Sequence, residues 1–370
     1  MSGVAHVYLI PGFFGFADVG GFKYFAHVRD ALARSLDAEG VRAEVHEVHT
    51  RPTASLAART ARLLDTIDAT AGDGGPLHLI GHSTGGLDAR LLLLPGVRLP
   101  TSVSPEPYAA RVRSVITLAT PHRGAPLASV LNTLQGQQVL RLLSLTALYV
   151  IRKDRLPDGV RARVASLLPG GLAPAGLGEQ IYHDLLADFR PERREQVEAL
   201  LADAASDTTL LVQLRPEGVD LLNAAPSPRP GVACASVITA APPPGEGDRA
   251  GERRLGHAAS RSLYTRLYPL SMPMPERFRP PLTPAQQAAL AAGGPRFLAR
   301  GASDGMVPVH SQVWGEVLAT VVADHLDVIG HFDGPELTPP HRDWLFSGAN
   351  FRRSDFEALC LRMARYIAAS

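Results

Sequence analysis

The chain has 370 residues, 45% of them hydrophobic and 20% charged, a balance that supports a folded globular core and excludes a disordered chain. Its 37 lysines and arginines stand against 36 aspartates and glutamates, so there is no field of one sign to hold a phosphate backbone or an acidic membrane surface, and nucleic acid is not an expected partner. The cysteines, Cys234 and Cys360, are too far apart for a metal motif and are expected to be two buried free thiols.

Met1 to His6 has no basic stretch, and the apolar run Val7 to Ile10 stops at Pro11-Gly12; no secretory signal is visible, and a cytoplasmic location is the expectation. Periodicity predicts a strand at Val4 to Ile10, a helix at Phe22 to Ala38, a strand at Val41 to Val48, a helix at Thr53 to Ala69 and a strand at Leu77 to Gly81. A helix after Thr84 and a strand at Ser114 to Thr120 continue the rhythm. Such alternation implies crossover units and a parallel sheet with helices on both faces. From about Ala125 to Pro230 the pattern turns mainly helical, clearest at Leu127 to Ile151 and Pro191 to Ala205, and reads as an insertion. Val139 to Ile151, the longest apolar stretch, is broken by Arg141 and is too short for the roughly 20 residues that cross a bilayer. A strand at Val232 to Ala240 follows, then irregular Pro-rich excursions at Ala241 to Gly247 and Pro269 to Pro284, and a closing helix from about Asp355 to Ala369 with Ser354 and Glu357 at capping-box spacing.

The most informative run is Leu77-His78-Leu79-Ile80-Gly81-His82-Ser83-Thr84-Gly85-Gly86: an apolar strand entering G-x-S-x-G, with a helical pattern from Leu87 onward. A sharp strand-to-helix turn exposes the serine hydroxyl and needs small residues on both sides of it. The same letters recur at Gly301 to Gly305, but Pro308 follows where a helix should run and little chain remains for an acid and a base; Ser83 is the nucleophile candidate and Ser303 is not. A serine nucleophile needs a histidine to take its proton and a carboxylate to hold that histidine's tautomer. In the strand-turn-helix enzymes with this motif the chain order is Ser, then Asp or Glu, then His. Asp304, in a polar turn after the apolar run Phe297 to Ala299, as at a strand end, is the acid candidate. Of His310, His325, His331 and His341, His325 fits best because it follows the last apolar strand pattern, Val317 to Val322, with His331 the rival. An oxyanion hole needs two backbone N–H donors, assigned to Thr84 after the nucleophile and to Phe13 in the turn Pro11-Gly12-Phe13-Phe14-Gly15 after the first strand. The alternative for that turn is a tight bend whose phenylalanines only pack.

Four separated motifs, Ile10 to Phe13, Gly81 to Arg90, Ser303 to Pro308 and His325-Leu326-Asp327, together resemble the bacterial triacylglycerol lipases. Leu118 to Gly124 resembles the strand end that precedes the lid in those enzymes. The resemblance implies an α/β-hydrolase fold, a mostly parallel sheet flanked by helices in one domain over residues 1–370, with a helical cap inserted at 125–230. It carries Ser83, Asp304 and His325 over as a catalytic triad and implies an ester substrate. The chain departs from the family at Pro11, where a histidine is usual, and in lacking a visible export signal. Many members hold calcium near the catalytic histidine: Asp327 stands at one ligand position, but His331 occupies the place of an amide ligand and no clear second aspartate precedes Asp304. No cofactor is therefore expected, the alternative being a structural calcium held with the help of backbone oxygens. Leu127, Val130, Leu131 and Leu134, followed by Val139, Leu140, Leu142 and Leu143, give an apolar face that suits acyl chains or a lipid interface and equally a core-facing helix. Two further readings stay open: acyl transfer or thioester hydrolysis on the same fold, and a hydrolase fold without catalysis used for binding. Oligomeric state is not legible.

Overall fold

The computed structural model describes residues 3–13, 24–72, 74–133, 207, 209–224, 229–246, 257–272, 274–279, 281–334, 337, 341 and 343–370, with scattered positions between 180 and 198. Six strands, β1 (Ala5–Ile10), β2 (Ala43–Glu47), β3 (Leu77–His82), β4 (Val112–Leu118), β5 (Ala233–Ala240) and β6 (Glu316–Val322), form one sheet in the order β2-β1-β3-β4-β5-β6. Every pairing is parallel. Parallel sheets need both faces covered, and the strands show why these do. Val7 and Leu9 of β1 point to one core with Ile80, Ile116 and Val237, while the intervening Tyr8 and Ile10 point to the other with Leu77, Leu79 and Val115.

The first face is covered by α1 (Val28–Ala38) and the closing helix α12 (Arg353–Ala368), through Leu32, Leu36, Phe356, Leu359 and Met363. The second is covered by α2 (Leu56–Thr70) and α3 (Gly85–Leu92), through Leu63, Leu64, Ile67, Ala89 and Leu92. Ser55 caps α2, its Oγ accepting the Ala58 N–H at 3.2 Å, which satisfies one of the amide groups a helix start leaves open. Shorter helices follow: α4 (Glu106–Ala109), α5 (Pro126–Leu131), α6 (Thr209–Gln213), α7 (Pro216–Asn223), α8 (His257–Ser271), α9 (Pro284–Ala292), α10 (Pro295–Leu298) and α11 (Val309–Gln312).

Four sequence expectations are corrected. The first helix begins at Val28, not Phe22, because His27 sits in the left-handed region at φ 59° and Tyr24 turns inward instead of continuing a helix. Pro269 lies inside α8, not in an irregular excursion; burial of Tyr264, Leu267 and Tyr268 against the core outweighs the hydrogen bond that proline removes. The run Phe297 to Ala299 is not a strand end: Pro295 at the first helical position opens the single turn α10 instead. The final helix starts two residues earlier than expected, and the capping carboxylate is that of Asp355, which accepts the Arg352 N–H at 3.0 Å; Ser354 and Glu357 lie within the helix. Of the expected helical insertion, most of 134–206 lies outside the described residues; within the expected helix Pro191 to Ala205, the described Pro191, Arg194, Glu195 and Glu198 are helical. Cys234 and Cys360 are free and buried, and among the described residues no helix is long and apolar enough to cross a membrane.

Candidate active site

The chain leaves β1 to one side to build β2, then crosses back to place β3 on the other side of β1. The carboxyl ends of β1 and β3 therefore flank a topological switch point, the crevice where open parallel sheets bind ligands. Pro11-Gly12-Phe13 leaves β1 there and Ser83 leaves β3 there.

Ser83 adopts φ 52°, a left-handed conformation that costs a non-glycine residue on the order of 1–3 kcal/mol and persists only where the surroundings hold it. The turn is too tight for side chains beside it. A Cβ on Gly81 would lie 2.4 Å from the Gly86 nitrogen, and one on Gly85 would lie 2.2 Å from the Ile10 carbonyl oxygen. Ser83 Oγ is 3.0 Å from His325 Nε2, and His325 Nδ1 is 2.8 Å from Asp304 Oδ2. The structure thus brings together Ser83, Asp304 and His325. His331 stands apart, donating its Nε2–H to the Tyr24 carbonyl at 2.9 Å, and Ser303 is buried with its Oγ 2.6 Å from Ser271 Oγ.

Asp304 is fully buried and saturated with donors. Its Oδ1 accepts the N–H groups of Met306 at 2.9 Å and Val307 at 2.7 Å, and its Oδ2 accepts the Thr239 hydroxyl at 2.8 Å. Its backbone carbonyl accepts the His325 N–H at 3.1 Å, joining acid and base through the main chain as well. Although no strand leads directly into Asp304, the Ala241 N–H at the end of β5 bonds to the Ser303 carbonyl at 3.0 Å, which seats the turn against the sheet.

A second chain of hydrogen bonds links the three loops of the site. The Gly12 N–H donates to Tyr24 Oη at 2.8 Å, Tyr24 Oη lies 2.6 Å from His82 Nδ1, and His82 Nε2 lies 2.8 Å from the His325 carbonyl. A carbonyl only accepts, so Nε2 of His82 carries the proton and Nδ1 accepts the Tyr24 hydroxyl. Burial, then the neighbouring His325, holds His82 well below the usual imidazole range, so it stays neutral. Arg59 supports the same turn from the other side: Nη2 donates to the Pro11 carbonyl at 2.6 Å and to Asp88 Oδ2 at 2.8 Å, and both side chains are fully buried. Burial raises the Asp88 carboxyl to about 6 even against the pull of Arg59.

Tyr24, His82 and Arg59 were missed in the sequence. Arg59 did leave a signal: it falls on the helical face of Leu56, Leu63 and Ile67, where a charge needs a buried partner. Tyr24 and His82 left none, since their link spans 58 residues.

Above Ser83 lies a cleft of about 610 Å³, counted to its open mouth, lined by Phe13, Thr84, Leu131, Leu214, Leu267 and Met306 among others. Its walls are apolar except around Ser83 and His325. Of the apolar face expected in the insertion, Leu127 and Leu131 line the cleft, Val130 does not, and Leu134 onward lies outside the described residues.

One cluster beside the site has the chemistry of a cation site. Carboxylate oxygens of Asp324, Asp327 and Asp343 lie within 4.8 Å of one another. Burial raises all three above the usual carboxylate range, and mutual repulsion with Asp324 raises Asp327 and Asp343 further. Hard oxygen donors of this kind fit calcium. Asp327 was the one position expected from sequence; Asp324 and Asp343 complete a set that spacing alone did not reveal.

The family model of the thioesterase domain matches residues 13–89, from the turn after β1 into α3. No curated protein matches the chain by sequence. Solved structures do match it in fold: a metagenomic carboxyl esterase at 16% identity and TM-score 0.53, covering 100% of this chain and 76% of the other; EstA of Clostridium botulinum at 19% and 0.52, covering 95% and 87%; and the lipase of Staphylococcus hyicus at 14% and 0.53, covering 99% and 95%. The chain has the α/β-hydrolase fold.

Proposed function

We propose that this protein is a carboxylic ester hydrolase that works through an acyl-enzyme. The observation that carries the reading is the relay Ser83–His325–Asp304, with contacts of 3.0 and 2.8 Å, opening into an apolar cleft. His325 Nε2 takes the hydroxyl proton as Ser83 Oγ attacks the ester carbonyl, and Asp304 holds the opposite tautomer and the imidazolium that forms. The amide N–H groups of Thr84 and Phe13 stabilise the oxyanion. The imidazolium then protonates the leaving alcohol, and water attacks the acyl-enzyme by the same route in reverse. Asp324, Asp327 and Asp343 would hold calcium, which supplies charge neutralisation to the loop that carries His325. The low-identity lipase and esterase folds support an ester substrate, and the apolar cleft supports an acyl chain. A thioester substrate is the second reading, favoured by the thioesterase-domain match.

The test is hydrolysis of p-nitrophenyl esters from acetate to palmitate, beside acyl thioesters of the same lengths. Ser83→Ala is expected to lower kcat by roughly 10⁴-fold or more with the fold intact. Equal activity of both proteins would remove Ser83 from the mechanism, and a preference for thioesters would select the second reading.

A further inference from the structure

At the other end of the sheet, His6 of β1 and Glu44 and His46 of β2 meet on one face. The register sets this: His6 pairs with Glu44 and Tyr8 with His46, and residues two apart on a strand share a face. His6 Nδ1 is 3.1 Å from His46 Nε2, and Glu44 Oε2 is 3.8 Å from each of those nitrogens. In a tetrahedral zinc site with metal–ligand bonds of about 2.0–2.1 Å, adjacent donor atoms are about 3.3 Å apart. The observed triangle differs from that by only a few tenths of an ångström, and its longer edges belong to Glu44, an exposed side chain free to swing inward.

We infer that His6, His46 and Glu44 form a zinc site that clamps the edge strand β2 to β1, with the fourth position open to water. Two imidazoles and one carboxylate are a donor set that zinc takes readily. The Tyr8 ring flanks His46 at 4.9 Å and, anchored by a 2.8 Å bond from its hydroxyl to Thr70, forms the wall against which that ring turns. Burial, the largest influence on both imidazoles, lowers their proton affinity, with Glu44 opposing and nearby arginines adding to the effect, so both rings are neutral at pH 7 and present the lone pairs a metal needs. One proton lies between the two near nitrogens. On metal entry it moves to the outer nitrogen of its ring, so no net proton is lost, and a turn of the ring of His46, at the sheet edge, aims its lone pair. Arg111 opposes a cation beside His6 and Arg29 beside His46; the Arg111 guanidinium is occupied by the carbonyls of Ala71, Gly72, Gly74 and Gly75. The cluster lies about six residues, or roughly 20 Å, along the strands from Ser83, so it is separate from the active site and its failure would leave the hydrolase reading untouched.

Equilibrium dialysis of the full chain against Zn²⁺, with metal counted per chain and the melting temperature followed in parallel, tests the site. Wild type is expected to bind Zn²⁺ and to melt higher when loaded. Glu44→Gln and His46→Gln are expected to weaken binding by at least the 10–100-fold that loss of an outer-shell partner costs, with ester hydrolysis unchanged. Glu44 is exposed, so its variant folds whether or not the site exists. No bound zinc in wild type, or zinc held at undiminished affinity by both variants, would overturn the inference.

Discussion

Tyr24 shows how much a single hydroxyl can hold. It accepts from Gly12, in the turn assigned to the oxyanion hole, and donates to His82, which in turn donates to the carbonyl of His325. Tyr24→Phe removes that hydroxyl and leaves a buried N–H and a buried imidazole nitrogen without a partner, a loss of about 1–3 kcal/mol in stability. Because the turn also aims the Phe13 amide, kcat should fall by roughly 10-fold or more with KM little changed; steady-state kinetics on a p-nitrophenyl ester separates the two. Arg59→Met makes a different prediction. It strands the buried Asp88 carboxylate, and urea unfolding should record a loss of about 3–5 kcal/mol. His331 sets a pH dependence. Burial lowers it to about 4 from an ordinary value near 6.5, so below pH 6.5 the unfolded chain takes up a proton that the folded chain refuses. The stability it contributes is present above pH 6.5 and is lost as pH falls toward 4, by about 3 kcal/mol in all. The excess of wild-type stability over that of His331→Gln, read from urea unfolding, should therefore shrink between pH 7 and pH 4; the difference isolates His331 from the other buried histidines and the raised carboxyls, which both proteins share.

The loop between β6 and the segment from Asp343 to Ser347 is governed by carboxylates. Asp324 accepts the Asp327 N–H at 3.2 Å and the Ser347 hydroxyl at 2.9 Å, and Asp343 accepts the Phe346 N–H at 2.6 Å. Carboxyls whose folded pKa is raised contribute stability that is present below their unfolded value and lost as pH rises through the folded one. Calcium would relieve that loss, so its effect should be larger at pH 8 than at pH 5. At 100 times its dissociation constant it adds about 2.7 kcal/mol, read as a rise in melting temperature that Asp343→Asn abolishes. Element by element, strands were the most legible part of the sequence, because both-sided burial leaves continuous apolar runs at Ala5–Ile10, Leu77–His82 and Ala233–Ala240. Helix starts were less so. His27 and Arg352 open helices without the usual capping side chains, and Pro269 continues a helix that local preference would end. Ser83 and His325 could be picked out because chain order and the ends of β3 and β6 filter candidates, whereas Asp304 was picked out by chain order and its polar turn, the strand expected before it being the single turn α10. Tyr24, Arg59, Asp324 and Asp343 escaped because their partners are set by tertiary contact, which a one-dimensional pattern does not encode.

At the scale of the molecule, the cleft draws its walls from distant parts of the chain. Phe13 comes from the turn after β1, Leu131 from α5, Leu214 from the start of the connection into α7, and Leu267 from α8. Substrate length is therefore a property of how these segments converge. Leu131→Trp adds bulk to one wall without touching Ser83 or His325, and should shift the preferred p-nitrophenyl ester toward shorter acyl chains while leaving acetate hydrolysis within a few-fold of wild type. The Gly12–Tyr24–His82–His325 connection has a consequence for anyone recombining this scaffold. The turn after β1, the elbow after β3 and the loop after β6 are wired in series, so a chimaera that imports the elbow alone from another protein of this fold breaks the circuit at two joints, and one that imports either of the other two breaks it at one. Transplanting all three together, with Tyr24, keeps it whole.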